Sequence, residues 1–195
     1  LSILVLLPFL GAALPPLAER FRASRTLLAL SAAALPALAL ALMVAPARRV
    51  IAGETLLSSM QWLPSLGLDL AFRLDGLSLM FAMLVLGIGL LIILYARYYL
   101  SANEKAGRFY AYLLLFMGAM LGVVTSDNLL LLVVFWELTS LSSFLLIGFW
   151  SHNSGARKGA RMALTVTGLG GLALLAGVLL IGQVVGSYSL GEALA

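Results

Sequence analysis

The sequence predicts an all-α polytopic membrane protein with six transmembrane helices, and three observations carry that reading. Hydrophobic residues make up 63% of the chain and the mean hydropathy is +1.10, well beyond a soluble domain, which is about half apolar. Charged residues are only 10%, and they gather between apolar runs instead of alternating with them. Six of those runs approach or exceed the roughly 17–25 residues an α-helix needs to cross hydrocarbon. Lipid offers backbone groups no partner, so such runs must be helices, and the short alternation of barrel strands is missing from all six.

The first span, Leu1–Leu17, is expected to end at Pro15-Pro16, where Glu19 and Arg20 open a polar loop. It has no basic stretch ahead of it and does not read as a signal peptide. The second, Leu27–Ala45, contains Pro36, whose missing N–H frees a carbonyl and kinks the helix. In the connection 46–75, Leu66, Leu68, Leu70, Phe72 and Leu74 alternate with Gly67, Asp69, Ala71, Arg73 and Asp75. That is the period of a half-buried strand with Asp69 and Arg73 on its polar face. It predicts a small extracytoplasmic β-hairpin-like loop lying over helix ends or against a neighbouring protein of the same complex.

The third span, Gly76–Ala96, runs into Tyr95, Arg97, Tyr98 and Tyr99, and the fourth, Phe109–Thr125, begins near Tyr110 and Tyr112. Together they predict an aromatic and basic belt at the inner headgroup level. Gly118 and Gly122 on the fourth span and Gly168 and Gly171 on the sixth, Met162–Ile181, let helices approach closely, so 109–181 is expected to pack as a three-helix unit. Residues 1–75 then form two helices and an outer loop, and 76–195 helices three to six.

The formal net charge of +4 would suggest nucleic acid in a soluble protein, but the basic residues fall into three short loops with no aromatic-basic groove between them. Glu19–Arg25, Arg97–Arg108 and Ser151–Arg161 hold the basic excess, which places all three inside and both ends of the sequence outside. There is no cysteine, hence no disulfide or thiolate chemistry. P-loop, GxGxxG, HExxH and Cys/His metal spacings are missing, and no serine has an intramembrane histidine partner, so no enzyme activity, cofactor or metal is expected.

The fifth span, Asn128–Trp150, carries the functional lead, a lone carboxylate at Glu137. An ionisable group at the bilayer centre costs about 2.5–3.5 kcal/mol on insertion scales, so it faces a protein interior or a water-filled path and marks an ion or proton route. Ser140 falls on its helical face, but one hydroxyl cannot satisfy two carboxylate oxygens. Either a cation from another helix keeps the group charged, or desolvation favours its neutral form; both suit a relay. Thr165, Thr167 and Lys158 on or beside the sixth span and His152 at the inner interface are the further pathway candidates. Threonines in membrane helices commonly bond back to their own backbone, and an interfacial histidine or a basic pair also serves topology alone.

The stretches Leu74-Asp75-Gly76-Leu77-Ser78, Val124-Thr125-Ser126-Asp127-Asn128-Leu129-Leu130 and Phe135 through Trp150 resemble the antiporter-like family shared by respiratory complex I and Mrp-type cation/proton antiporters. Trp136-Glu137-Leu138-Thr139-Ser140-Leu141-Ser142-Ser143-Phe144 is most similar to the large A-type subunit of the Mrp antiporters. The resemblance covers residues 70–182 well and 1–70 loosely. It implies that Glu137 matches an essential glutamate that pairs with a lysine on a seventh helix. It also implies a bacterial inner-membrane complex with other hydrophobic subunits, exchanging sodium or potassium for protons under the proton motive force. Members have about fourteen helices or more, with inverted repeats, so this sequence is expected to be the N-terminal part of a longer protein. A redox-driven pump component of the same fold and a non-transporting scaffold are the alternatives.

Overall fold

A computed structural model describes residues 1–101 and 104–194. Six helical spans cross its length: Ser2–Arg20, Arg25–Ile51, Gly76–Tyr99, Ala106–Thr125, Leu129–Ile147 and Ser154–Val185. The first is broken into α1 (Ser2–Gly11) and α2 (Leu14–Arg20) at Ala12-Ala13. Pro15-Pro16 therefore starts a helix instead of ending one, because a proline in the first turn gives up an N–H that has no intrahelical partner anyway. α2 ends where Arg22 takes φ 57°, with Ala23 N–H donating to Ala18 O at 3.1 Å and Arg22 N–H to Glu19 O at 3.0 Å. This is a Schellman closure with arginine where glycine is usual.

The second span is α3 (Arg25–Leu42), capped by Ser24, followed by α4 (Val44–Ile51). Pro36 lies inside α3, which continues past it for six residues. The predicted hairpin is present: β1 (Leu56–Leu63) and β2 (Leu68–Leu74) pair antiparallel around a 3₁₀ turn at Pro64–Leu66. Gly67 closes that turn at φ 66°, a conformation a side chain would strain. Leu68, Phe72 and Leu74 are buried as the alternation requires, but Leu66 belongs to the turn and is exposed. The strand lies over helix ends: Asp127 N–H donates to Ala71 O at 2.9 Å and Asn128 Nδ2 to Gly67 O at 2.8 Å. Asp69 and Arg73 share one face of β2, and Arg73 pairs with Asp75 (3.4 Å) and Asp127 (3.5 Å).

α5 (Gly76–Tyr99) starts in a capping box, Asp75 accepting from Ser78 N at 2.9 Å while Ser78 Oγ accepts from Asp75 N at 2.8 Å. α6 (Ala106–Thr125) is the hub, touching α1, α2, α3, α5, α7 and β2. α7 (Leu129–Ile147), capped by Asn128, lies between α6 and α8 (Ser154–Val185). α8 starts eight residues before the predicted span because Asn153 caps it, and it ends at Gly186 with φ 78°. A short α9 (Leu190–Ala193) follows.

The expected aromatic belt divides. Tyr95, Tyr98 and Tyr99 are exposed, with Arg97 5.0 Å over the Tyr98 ring, as anchors should be. Tyr110 instead is buried in the bundle, its hydroxyl donating to Ile93 O at 3.3 Å. A buried phenol needs such a partner. The inner loop Arg97–Arg108 includes positions 102 and 103, which lie outside the described residues.

Candidate functional site

Glu137 is the ninth residue of the nineteen-residue helix α7, close to the middle of the span. Its carboxyl lies in the α7–α8 interface against Gly171, so close that a Cβ built on Gly171 would fall 1.5 Å from Oε1. Only glycine leaves room for the carboxyl where it stands. Oε1 is buried and has no hydrogen-bond partner among the described residues.

The hydroxyls around it do not relieve this. Ser140 is buried on α7, and its hydroxyl donates to Trp136 O at 3.3 Å and not to Glu137. Thr139, Ser142 and Ser143 likewise donate to the carbonyls of Trp136, Leu138 and Ser140 at 2.6, 2.6 and 3.0 Å. Inside a helix a serine or threonine finds its own preceding turn more readily than a neighbour. A carboxyl with one oxygen buried and no donor is costly above all when ionised, so the site calls for a partner from another element or a proton.

The other sequence candidates scatter. Thr167 is half-buried one turn from Gly171, about 6 Å along α8, with its hydroxyl on Ala163 O at 2.9 Å. It is the only one of the α8 candidates, Lys158, Thr165 and Thr167, that is not exposed. Thr165 is exposed and bonded to Arg161 O at 2.9 Å, so within this chain it does not join the site. Lys158 and His152 are exposed near the Ile147 end of α7, roughly 15 Å or more from Glu137 along the helix axis. His152 lines a cleft there of about 450 Å³ together with Glu104, Lys105, Arg108 and Trp150. The Trp150 indole donates to Glu104, and this bond holds the Glu104 carboxyl below the usual carboxylate range.

The glycines also divide. Gly171 faces Glu137 as described, and Gly122 faces the Phe135 ring of α7, where a Cβ would meet ring atoms at 2.2 Å. Gly118 opens onto Phe9 of α1, so α6 uses it against the first span and not inside the expected 109–181 unit. Gly168 has open space where a Cβ would stand and mediates no close approach. Sequence reasoning took Gly171 for packing alone. The missing signal is register, since Gly168 and Gly171 are neighbours on the surface of α8 that differ by about 4.5 Å in depth and by a modest rotation.

At the other end of the span, Asp127 and Arg73 are paired at 3.5 Å without hydrogen-bond geometry, and each carries a buried polar atom without a hydrogen-bond partner among the described residues. These residues escaped notice as a unit because they come from different elements 54 positions apart.

Comparison with known proteins gives this geometry a context. A family described as "NADH-Ubiquinone oxidoreductase (complex I), chain 5 N-terminus" matches residues 61–110, and one described as "NADH:quinone oxidoreductase/Mrp antiporter, TM" matches residues 126–194. A probable K(+)/H(+) antiporter A/B subunit of Rhizobium meliloti is 55% identical over 146 residues, 75% of this chain and 15% of the relative. The A1 subunit of a Na(+)/H(+) antiporter of Staphylococcus aureus is 43% identical over 190 residues, 97% of this chain and 24% of the relative. The chain thus spans a quarter or less of these curated relatives. Among solved structures, the Mrp complex from Dietzia sp. superposes with a TM-score of 0.86 at 32% identity, over all of this chain and 20% of that one. The archaeal membrane-bound sulfane sulfur reductase superposes at 0.76 and 23% identity over 98% of this chain and 29% of that one, a likeness of fold.

Proposed function

Since the chain belongs to the antiporter-like family of NADH:quinone oxidoreductase and Mrp antiporter membrane proteins, we propose that it is part of the proton-conducting subunit of a monovalent cation/proton antiporter complex of the bacterial plasma membrane. The single observation that carries this reading is the carboxyl of Glu137, mid-span, buried at Oε1 and without a donor. A group so placed gains most from the two things a proton route supplies, a proton or a cation nearby. Relatives named as antiporter components favour exchange driven by the proton motive force over a redox-driven pump of the same fold. They are transporters, and the proposed role of Glu137 is to hold and release a proton, with Thr167 the nearest hydroxyl station on α8. The lysine partner that the family resemblance implies would come from a helix other than the six described, and other hydrophobic subunits would complete the complex.

The test uses the full-length protein in its complex, in everted membrane vesicles, with sodium or potassium added to collapse a pH gradient. Glu137→Gln keeps shape and cannot exchange a proton; the expected result is assembly at wild-type abundance with exchange at background. Glu137→Asp retains part of the activity. Wild-type exchange in the Gln variant would remove Glu137 as an obligatory relay and leave a scaffolding role.

A further inference from the structure

The inner ends of α6, α7 and α8 enclose a cleft of about 420 Å³ with two kinds of wall. Arg108, Arg157 and Arg161 supply one, and Tyr112, Phe144 and Leu145 the other. No carboxylate lines the cleft, and none of the three arginines is ion-paired among the described residues. Arg157 is anchored by donating to the carbonyls of Ser151 at 2.7 Å and His152 at 3.3 Å, while Arg108 lies 5.8 Å over the rings of both Tyr112 and Phe149. Glu104, on the adjoining cleft, is already engaged by the Trp150 indole and by Ser101 N–H at 2.6 Å.

Arg157 and Arg161 stand one turn apart on the same face of α8, where like charges repel. Three guanidinium groups on one cleft without an acid are stabilised by an anion, and their planar forks match the oxygens of a phosphate bidentately, as they do those of a carboxylate. The apolar wall adds a second requirement. Phe144 and Leu145 belong to the membrane-spanning part of α7, so the ligand carries hydrocarbon beside its phosphate. We propose that this cleft binds the phosphate headgroup of an anionic phospholipid from the inner leaflet, with its acyl chains along Phe144 and Leu145. Basic pockets between helix ends on the cytoplasmic side are the expected place for such recognition. The inference is independent of whether Glu137 conducts protons.

The experiment titrates the intact complex, purified in detergent, with phosphatidylglycerol, with phosphatidylcholine of matched chains and with inorganic phosphate, following bound mass by native mass spectrometry. The expected result is saturable binding of phosphatidylglycerol that phosphatidylcholine does not reproduce. Combined Arg157→Gln and Arg161→Gln should weaken it by roughly tenfold or more, while the corresponding Lys pair keeps part of it. Arg48→Gln, exposed on α4 and outside the cleft, serves as the control and should change nothing. Equal binding of the two lipids, or undiminished phosphatidylglycerol in the Gln pair, overturns the proposal. Displacement of the lipid by millimolar inorganic phosphate overturns the lipid assignment in favour of a free phosphate. If the Gln pair fails to assemble, Arg108→Gln alone decides: unchanged phosphatidylglycerol binding refutes the site.

Discussion

α6 and α8 are both long apolar helices threaded with glycine, yet half of the most apolar stretch of α6 is buried and only 11% of that of α8. α6 sits among five other helices, and two of its glycines are filled by rings: Phe9 against Gly118 and Phe135 against Gly122. α8 leans chiefly on α7, with Val166, Leu169, Leu172 and Val184 on its surface, and its mid-span Gly171 receives a carboxyl. In lipid, apolar residues gain nothing by choosing helix over hydrocarbon, so close packing has to come from shape, which α6 supplies. On α8, the small residue serves a polar group instead. Glycine thus has two roles in these helices, making room for aromatic packing on one and for an ionisable side chain on the other.

The largest effect that would break this contrast is at Gly122. The Phe135 ring it faces is held between Phe9 (6.3 Å) and Phe72 (6.2 Å), so Gly122→Ala overpacks a site that cannot yield and should cost about 1–3 kcal/mol. Reduced yield of assembled complex, partly restored by adding Phe135→Leu, is the expected measurement. Next is Gly171→Ala, where the obstructing atom is the end of a flexible side chain that can swing away. Assembly should survive, and cation-driven proton exchange should fall roughly tenfold as the carboxyl leaves its position. Unchanged exchange would reduce Gly171 to a packing residue.

A smaller effect is expected at the hairpin–α5 junction. Asp75→Ala removes the cap and should lower the local stability of the first turn of α5 by about 1 kcal/mol, read by hydrogen exchange. The Ser78 backbone N–H holds the Asp75 carboxyl below the usual carboxylate range. Its contribution is therefore complete above the unfolded value, about 3.9, and is lost as the pH falls through the lower folded value. The difference between wild type and Asp75→Ala should shrink accordingly in strong acid. Smallest of all is Gly168→Ala, which meets open space and should stay within about 0.5 kcal/mol in yield or melting while leaving exchange intact. A large loss there would mean that another element covers that side of α8.

Local chemistry explains which parts were legible beforehand. The alternation ending at Leu74 is a short-range pattern, and it recurs in the structure as the strand Leu68–Leu74. Pro15-Pro16 misled because proline both ends and begins helices, and the choice fell to the break at Ala12-Ala13. Tyr110 was misread for a related reason: an aromatic near a span end reads as an anchor until the neighbouring helix offers Ile93 O to its hydroxyl. Ser140 shares α7 with Glu137 and Thr165 lies on the neighbouring α8, and in both the preceding turn captures the hydroxyl first.

Six apolar helices, an outer hairpin and one carboxylate in mid-span follow from the residues read in order, because length, period and the cost of a charge in lipid are properties of a single segment. Helix packing alone settled that Gly171 and not Gly168 meets Glu137, that Gly118 belongs to the first span, and that Arg108 joins Arg157 and Arg161 on one cleft. Those facts depend on the rotation and depth of one helix against another. Contacts between helices fix both, and no single segment encodes either.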